Sequence, residues 1–288
     1  MTEKSVEIGR MNRMRVVKAL DFGVYLDGGE LGEILLPKKY LNKDCRVGGD
    51  VDVFLYLDSE DRLIATTLPP LAMVGEFAFL KCVEVGEVGA FLDWGLLKDL
   101  IVPFREQRMK MEKGRYYIVR IYLDEKTQRI AASSRHGRFL GKTPPDYKEG
   151  EEVDLLIAGE IAVGYRAIVN NSHWGLLYRN EVFQPLKIGQ KVKGYVTKIR
   201  DEKKVDLTLQ KLGGEHIHDA AASILDALRA KGGFIPVTDS SSPEKIAAVF
   251  NLSKKAFKRA VGGLYKRRLV TLEKSGIRLV EKVGASER

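Results

Sequence analysis

The sequence predicts a mainly β protein with three small five-stranded barrels in tandem and a C-terminal domain that mixes helices and strands. Three observations predict this architecture. The chain repeats itself at an offset of 66 residues, short runs of β-branched and aromatic residues alternate with turn residues, and helical periodicity replaces this alternation after Gln210. In this chain of 288 residues, the predicted domains span 1–69, 70–138, 139–212 and 213–288.

The first two copies of the repeat carry similar residues at the same places without a gap. Residues 22–26 (FGVYL) align with 88–92 (VGAFL), and the segment YLD at 56–58 is identical to 122–124. A looser third copy has Val163-Gly164 in the place of Phe22-Gly23, and its closing strand begins 75 residues beyond Ile130. One small module used three times therefore accounts for the first three quarters of the chain.

Each module is predicted to form a small closed barrel. In the first copy the five strands are expected over residues 14–19, 23–26, 32–36, 51–56 and 63–67. The sequence DGGE at 27–30 favours a tight hairpin, and Pro37 interrupts the chain before the fourth strand. Five short strands with a break after the third are typical of an OB-type barrel, whose closure leaves no free sheet edge.

The order of these segments resembles the S1 RNA-binding domain. The resemblance rests on the order of the segments, with an aromatic-Gly-x-aromatic segment before the hairpin that copies one and two carry as FGVY at 22–25 and VGAF at 88–91. The third copy has VGYR at 163–166, followed by WGLLYRN at 174–180. S1 domains commonly place a His and a Ser on the strand after the hairpin. The corresponding positions here are predicted to be Leu35 and Pro37, Ile101 and Pro103, and Tyr178 and Asn180. Copies one and two are therefore expected to bind RNA weakly or to serve as scaffold.

Aromatic rings beside cationic side chains are the candidate RNA-binding residues of the barrels. A ring can stack on an unpaired base while Lys or Arg neutralises phosphate. The alternative for each ring is that it fills the barrel, because strand alternation sends every second side chain inward. The candidates are Phe22, Tyr25, Lys38 and Lys39 in copy one, Phe91, Trp94, Arg105 and Arg108 in copy two, and Tyr165, Arg166, Trp174, Tyr178 and Arg179 in copy three.

The C-terminal domain is similar to a winged helix. A helix is predicted over 218–231, a second begins at Pro243 behind the capping residue Ser242, and a third covers 254–267 behind Ser253. Two short strand runs, 269–272 and 277–280, follow the helices. Helix, tight turn, helix and hairpin is the order of a winged helix.

Basic residues are concentrated on the third of these helices. Residues 254–268 carry seven cationic and no acidic side chains, against a net charge of +9 for the whole chain. The predicted buried stripe is Phe257, Ala260, Val261 and Leu264. The candidate nucleic-acid contacts on the opposite face, whose alternative is an ordinary solvated surface, are Lys255, Lys258, Arg259 and Lys266. Gly262-Gly263 within the helix indicates close packing or a close backbone approach.

The charge balance favours a polyanionic partner, with nucleic acid first and an acidic membrane second. The net charge is +9 and 30% of the residues are charged. No apolar run approaches the ~20 residues that a spanning helix needs, and the N-terminal segment is polar. We therefore expect a cytoplasmic protein that does not bind membranes.

The sequence offers no constellation for catalysis, a metal or a cofactor. The segment GRFLGKT at 137–143 has three residues between its glycines where a phosphate loop needs four, which favours a linker. His216 and His218 lack further ligands around them, and Cys45 and Cys82 lack the spacing of a metal knuckle. A non-catalytic protein without cofactor or metal is the prediction.

Three S1-like barrels followed by a winged helix resemble, over essentially the whole chain, the bacterial conserved virulence factor B family. The resemblance implies an RNA-binding regulator that affects gene expression after transcription. The expected partner is single-stranded RNA at the barrels, with duplex nucleic acid as an alternative at the winged helix. Two other functions stay open: a subunit that presents RNA to a nuclease, and a DNA-binding transcription regulator that acts through Lys255, Lys258 and Arg259. The oligomeric state is not predicted.

Overall fold

The computed structural model of the chain describes residues 6–182, 185–200, 204–211, 215–250 and 252–280, with the side chains of 180, 215–219 and 255 excepted. The chain divides into two compact units, Met1–Leu140 and Gly141–Arg288. The first contains two β modules, and the second contains a third β module and the C-terminal helical domain. The predicted fold class is therefore confirmed.

The first module is a closed barrel with the strand order β1-β2-β3-β5-β4. Its strands are β1 (Met11–Leu20), β2 (Gly23–Asp27), β3 (Glu33–Pro37), β4 (Asp50–Leu57) and β5 (Leu63–Thr66). All five predicted strands are present, and a parallel contact between Leu35 and Ile64 closes the barrel. The side chains that fill it alternate along the strands, as Val51, Val53 and Leu55 do on β4.

The second module has the same strands but a more open seam. Its strands are β6 (Phe77–Val85), β7 (Gly89–Asp93), β8 (Leu100–Pro103), β9 (Tyr116–Leu123) and β10 (Ile130–Ser133). The sheet order is β10-β9-β6-β7-β8, and no hydrogen-bonded ladder joins β8 to β10 in the described chain. Closure therefore depends on side-chain packing at this seam.

The third module is a closed barrel with the order β11-β12-β13-β15-β14. Its strands are β11 (Glu152–Ile161), β12 (Gly164–Val169), β13 (His173–Tyr178), β14 (Lys191–Arg200) and β15 (Lys204–Thr208). Four parallel residue pairs join β13 to β15, from Trp174 opposite Lys204 to Leu177 opposite Leu207. This module has the most extensive closing contact of the three.

A close approach of neighbouring strands explains why each module has a glycine at the same position of β2, β7 and β12. Gly23, Gly89 and Gly164 have φ of 158°, 158° and 153°. A Cβ at these positions would lie 2.4, 2.3 and 2.0 Å, respectively, from a carbonyl oxygen of the neighbouring strand. Only glycine allows the backbones to approach this closely.

The first two modules share a hydrophobic core. Phe54 and Tyr56 lie on the outer side of β4 and pack into the cluster of the second module. The ring of Trp94, which follows β7, meets Phe54 edge to face with centroids 5.6 Å apart. Its Nε1 donates a hydrogen bond of 2.6 Å to the Lys98 carbonyl. The two modules therefore form one packed body.

Lys98 adds polar contacts to the same junction. Its Nζ donates hydrogen bonds of 2.9 and 2.6 Å to the carbonyl oxygens of Leu57 and Asp58. Burial lowers the pKa of the Lys98 ammonium. Arg129 and Asp61 form an ion pair between the modules. The partly buried Lys98 ammonium thus has hydrogen-bond acceptors supplied by the first module.

The C-terminal domain has the predicted winged-helix order with one additional strand. Its elements are α1 (Glu215–Ala230), β16 (Phe234–Ile235), α2 (Pro243–Phe250), α3 (Lys254–Lys266), β17 (Val270–Glu273) and β18 (Gly276–Leu279). The sheet order is β16-β18-β17. The predicted helices and wing hairpin are confirmed, whereas the two-residue β16 gave no signal in the sequence.

No helix in the described parts of the chain is long and apolar enough to cross a membrane. The described residues also contain no group of three or more His, Cys, Asp or Glu side chains arranged to hold a metal ion.

Candidate nucleic-acid interface

The outer face of β12 and β13 brings together three of the predicted site residues. Arg166 pairs with Leu176, Tyr178 with Gly164, and Trp174 with Ile168. Since side chains alternate along a strand, Arg166, Trp174 and Tyr178 lie on the same face. The Arg166 guanidinium lies 4.0 Å from the centroid of the Trp174 ring. A cation and an aromatic ring are therefore stacked, and both are partly exposed.

The same face contains two further candidate residues, Arg200 and Asp206, that the sequence analysis missed. The Arg200 guanidinium lies 5.7 Å from the centroid of the Tyr178 ring. Its Nε donates a 2.5 Å hydrogen bond to Asp206 Oδ2, and the Asp206 side chain is only 7% exposed. The buried carboxylate therefore holds Arg200 beside the Tyr178 ring. The signal in the sequence was Asp206, a charged residue within the otherwise mostly apolar strand VDLTL at 205–209.

Two candidates of the third barrel are placed differently from the prediction. Tyr165 lies opposite Leu177 and packs against the barrel core, so it is not part of the outer face. Arg179 is exposed but forms a 2.9 Å ion pair with Glu160. The predicted alignment of Tyr178 is also wrong. Because Tyr178 pairs with Gly164 as Pro37 pairs with Gly23, Tyr178 corresponds to Pro37.

The first barrel presents a smaller face of the same kind. Phe22 is 54% exposed and meets Tyr25 edge to face, with ring centroids 6.4 Å apart. Lys18, which the sequence analysis missed, has its Nζ 5.8 Å from the Tyr25 centroid. Lys38 follows β3 and is exposed, whereas the Nζ of the exposed Lys39 lies 4.9 Å from the centroid of the buried Tyr40 ring. The first barrel thus presents two rings, Phe22 and Tyr25, and the exposed cations Lys18, Lys38 and Lys39.

The second barrel lacks the cation and the exposed ring that form this face in the first barrel. Phe91 is partly buried and pairs with Glu84, which occupies the position of Lys18, while Val88 replaces Phe22. Trp94 is 3% exposed because it packs in the core shared by the first two modules, so its predicted role in stacking is wrong.

The predicted cations of the second barrel lie in the segment after β8. Arg105 is exposed, 3.7 Å from Asp124, and Arg108 is also exposed. Between β8 and these cations lies Phe104, a ring that is 45% exposed and that the sequence analysis missed.

The basic face of α3 is positioned as predicted. The Ser253 side chain caps the helix by accepting a 3.0 Å hydrogen bond from the Ala256 N–H. The predicted stripe of Phe257, Ala260, Val261 and Leu264 is buried. On the opposite side, the exposed candidates are Lys258, Arg259 and Lys266. Lys258 Nζ lies 3.9 Å from Asp239, and the Lys255 side chain is outside the described residues.

Among the described residues, packing does not require glycine at positions 262 and 263 of α3. A Cβ at either position would have no atom of another described element within 4 Å. The expectation of close packing there is therefore wrong. Tyr265, which follows them, is 55% exposed and adds an aromatic ring to the basic helix.

Comparisons with known proteins agree with this architecture. Residues 8–68 match the model of the S1 domain, and residues 222–279 match that of the CvfB-like winged helix domain. The protein YitL of Bacillus subtilis is 27% identical over 284 residues, which cover 92% of this chain and 91% of YitL. Conserved virulence factor B of Staphylococcus aureus is 26% identical over 285 residues, which cover 96% of this chain and 95% of that protein.

A solved multidomain protein with nucleic acid binding domains from Streptococcus pneumoniae is 24% identical. The match covers 95% of this chain and 98% of that chain, with a TM-score of 0.39. S1 and winged-helix domains are nucleic-acid-binding domains, and they are typically non-catalytic. The chain therefore has an S1 domain and a CvfB-like winged helix domain, and its predicted resemblance to the conserved virulence factor B family is confirmed over most of its length.

Proposed function

We propose that this protein is a non-catalytic, cytoplasmic RNA-binding regulator that acts on gene expression after transcription. Single-stranded RNA binds to the outer faces of the first and third barrels, and the winged helix adds a second, tethered site. The proposed domain boundaries remain 1–69, 70–138, 139–212 and 213–288.

The observation that carries this proposal is the outer face of the third barrel. Arg166 stacked on Trp174 at 4.0 Å and Arg200 beside Tyr178 place two rings and two guanidinium groups on one face. The rings offer π-faces to unpaired bases, and Arg166 neutralises phosphate. Arg200 is paired with Asp206 through its Nε and keeps its other N–H groups for hydrogen bonds to the RNA. Lys204, directly opposite Trp174 in the sheet, adds a further exposed cation.

Single strands are favoured over duplexes by the geometry of this face. Strands β12 and β13 present their rings on a sheet surface, and a base in a duplex cannot lie flat on a ring without leaving its stack. The basic face of α3, with Lys258 and Arg259, supports a contribution from phosphate contacts that does not depend on base identity.

Binding of matched nucleic acids to the whole protein tests the proposal. Fluorescence anisotropy would compare labelled oligouridine, duplex RNA and duplex DNA at two salt concentrations. We expect the oligouridine to bind most tightly and its affinity to fall with salt. Preference for duplex DNA would instead support a DNA-binding transcription regulator.

Incubation of the purified protein with labelled RNA and Mg²⁺ tests the absence of catalysis. We expect the RNA to stay intact over the time in which binding reaches equilibrium. Cleavage that persists through successive purification steps, and that a variant of a single residue abolishes, would contradict the proposal.

A further inference from the structure

The outer face of β6 and β9 in the second barrel carries an exposed aromatic pair that the proposed sites do not include. The rings of Phe79 and Tyr116 lie with centroids 5.2 Å apart and planes tilted by 31°. Tyr116 is 53% exposed, and Phe79 is partly buried. Phe79 and Lys81 lie on the side of β6 opposite to Ala78, Leu80 and Cys82, which fill the core.

A cation completes this surface. Lys81 lies directly opposite Tyr116 in the antiparallel pairing of β6 with β9, and it is exposed. The segment that leads into β9 adds the exposed Lys110, Lys113 and Arg115. Glu112 forms a 2.9 Å ion pair with Arg115, so this carboxylate offsets one of these charges. Asp93 of β7, also exposed, lies directly opposite Lys81 as well, so four cationic and two acidic side chains lie on this face and in the segment that leads into it.

The first barrel shows that the fold does not require aromatic residues at these positions. At the offset of 66 residues, Arg13 corresponds to Phe79 and Asp50 corresponds to Tyr116. Arg13 and Asp50 form a 3.7 Å ion pair with both side chains largely exposed. The closed barrel is thus stable with a solvated pair of opposite charges where the second barrel has two rings.

The third barrel supports the same comparison. Its equivalent face pairs Asp154 with Lys193, which form a 2.8 Å ion pair, and Lys193 also lies 3.6 Å from Glu152. This face of the third barrel has one ring, Tyr195, whose hydroxyl donates a 3.1 Å hydrogen bond to Glu152, whereas the second barrel has two rings in contact with each other. It is also the barrel in which Glu84 and Val88 replace the cation and the exposed ring of the usual face.

We propose that the face formed by Phe79, Lys81 and Tyr116 is a further single-stranded RNA site, so that the second barrel binds RNA through β6 and β9. A base stacks on the exposed Tyr116 ring, which Phe79 supports from behind, and Lys81 and Lys113 neutralise the flanking phosphates. The excess of cations over carboxylates on and beside this face favours a polyanion as the occupant over an apolar protein segment. This inference shares with the proposed function only the assumption that the ligand is RNA. The site itself lies on a different barrel and a different face.

An exchange of side chains between barrels tests this site. The double variant Phe79→Arg with Tyr116→Asp installs the charge pair of the first barrel and leaves the net charge unchanged. Binding would be measured with oligouridines of about 6 and about 30 nucleotides, because one barrel of this kind holds roughly 4 to 16. We expect the long RNA to bind about tenfold more weakly and the short RNA, bound at the third barrel, to be unaffected.

Two single variants separate stacking from folding. Tyr116→Phe keeps the ring and is expected to bind both RNAs like the wild type, whereas Tyr116→Leu is expected to reproduce the loss for the long RNA. Far-UV circular dichroism and thermal unfolding of each variant establish that the protein is folded at the binding temperature. RNA containing 4-thiouridine should crosslink to the peptide that contains Tyr116.

The possible outcomes distinguish this inference from the proposed function. If the double variant binds the long RNA normally while Trp174→Ala weakens both RNAs, this site is refuted and the proposed function stands. If the wild type binds neither RNA, both are refuted. Dissociation of a wild-type dimer by the double variant, seen in sedimentation, would show that the rings form a contact between copies and would also refute the RNA site.

Discussion

The guanidinium of Arg166 covers the ring of Trp174 at 4.0 Å on the outer face of the third barrel. In the first barrel, the position of Arg166 belongs to Tyr25, whose ring lies 5.8 Å from the ammonium of Lys18. The shared position therefore has a cation stacked on a ring of β13 in the third barrel and a ring beside a cation of β1 in the first. A base can add to either arrangement by extending the stack.

Replacing Trp174 by Ala should weaken the binding of oligouridine about tenfold, because base–ring stacking contributes about 1 to 3 kcal/mol per base. Fluorescence anisotropy of the purified variant would measure this loss. Trp174→Phe is the matched control and should retain most of the affinity. Equal affinities for the wild type and the Ala variant would show that this ring does not contact RNA.

The double variant Lys258→Ala with Arg259→Ala should weaken binding and reduce the slope of log affinity against log salt by about 2, since two phosphate contacts are lost. Affinities at several salt concentrations would give the slope. Lys245→Ala, an exposed cation on α2, serves as control. A slope equal to that of the wild type would place the basic face of α3 outside the interface.

Trp94→Ala should destabilise the protein by about 3 to 5 kcal/mol, because this ring is 3% exposed and its removal leaves a cavity in the core shared by the first two modules. Urea unfolding followed by circular dichroism would measure the change. Trp174→Ala, which removes a partly exposed ring of the same size, should cost much less. Similar losses for both tryptophans would contradict the assignment of Trp94 to a core.

Gly164→Ala should destabilise the third barrel by more than about 1 kcal/mol, since the new Cβ would lie 2.0 Å from the Leu177 carbonyl oxygen. Thermal unfolding would report the loss as a lower midpoint. At Gly159 in the same barrel, a Cβ meets no atom within 4 Å, so Gly159→Ala is the control. An unchanged midpoint for Gly164→Ala would mean that β12 and β13 can move apart to accommodate the methyl group without loss of stability.

Gly263→Ala should stabilise the C-terminal domain by about 1 kcal/mol, because Ala favours a helix and its Cβ meets no atom within 4 Å. A higher unfolding midpoint of the full chain, measured on a probe of this domain, would confirm the effect. Destabilisation by the methyl group would reveal a packing constraint at this helix face.

The sequence predicts the strands and the basic helix because their signals are local. The five strands of the first barrel, the capping by Ser253 and the buried stripe around Phe257 follow from alternation, helical periodicity and capping preferences, which act over a few residues. The offset of 66 residues extends the barrel prediction to the second module.

The placement of individual rings depends on contacts that are distant in sequence. Trp94 is buried by Phe54 of another module, and Arg200 is held beside Tyr178 by Asp206. Neither contact has a fixed spacing in the sequence. The apolar run from Val53 to Leu57 did carry a signal, because a strand that is apolar on both faces is covered on both sides.

The packing of Trp94 against Phe54 also limits how the molecule can be dissected. A fragment that ends between the first two modules would leave large rings in water and would be expected to aggregate. Neither module can therefore be moved into another protein by itself unless the new neighbour replaces the lost aromatic contact.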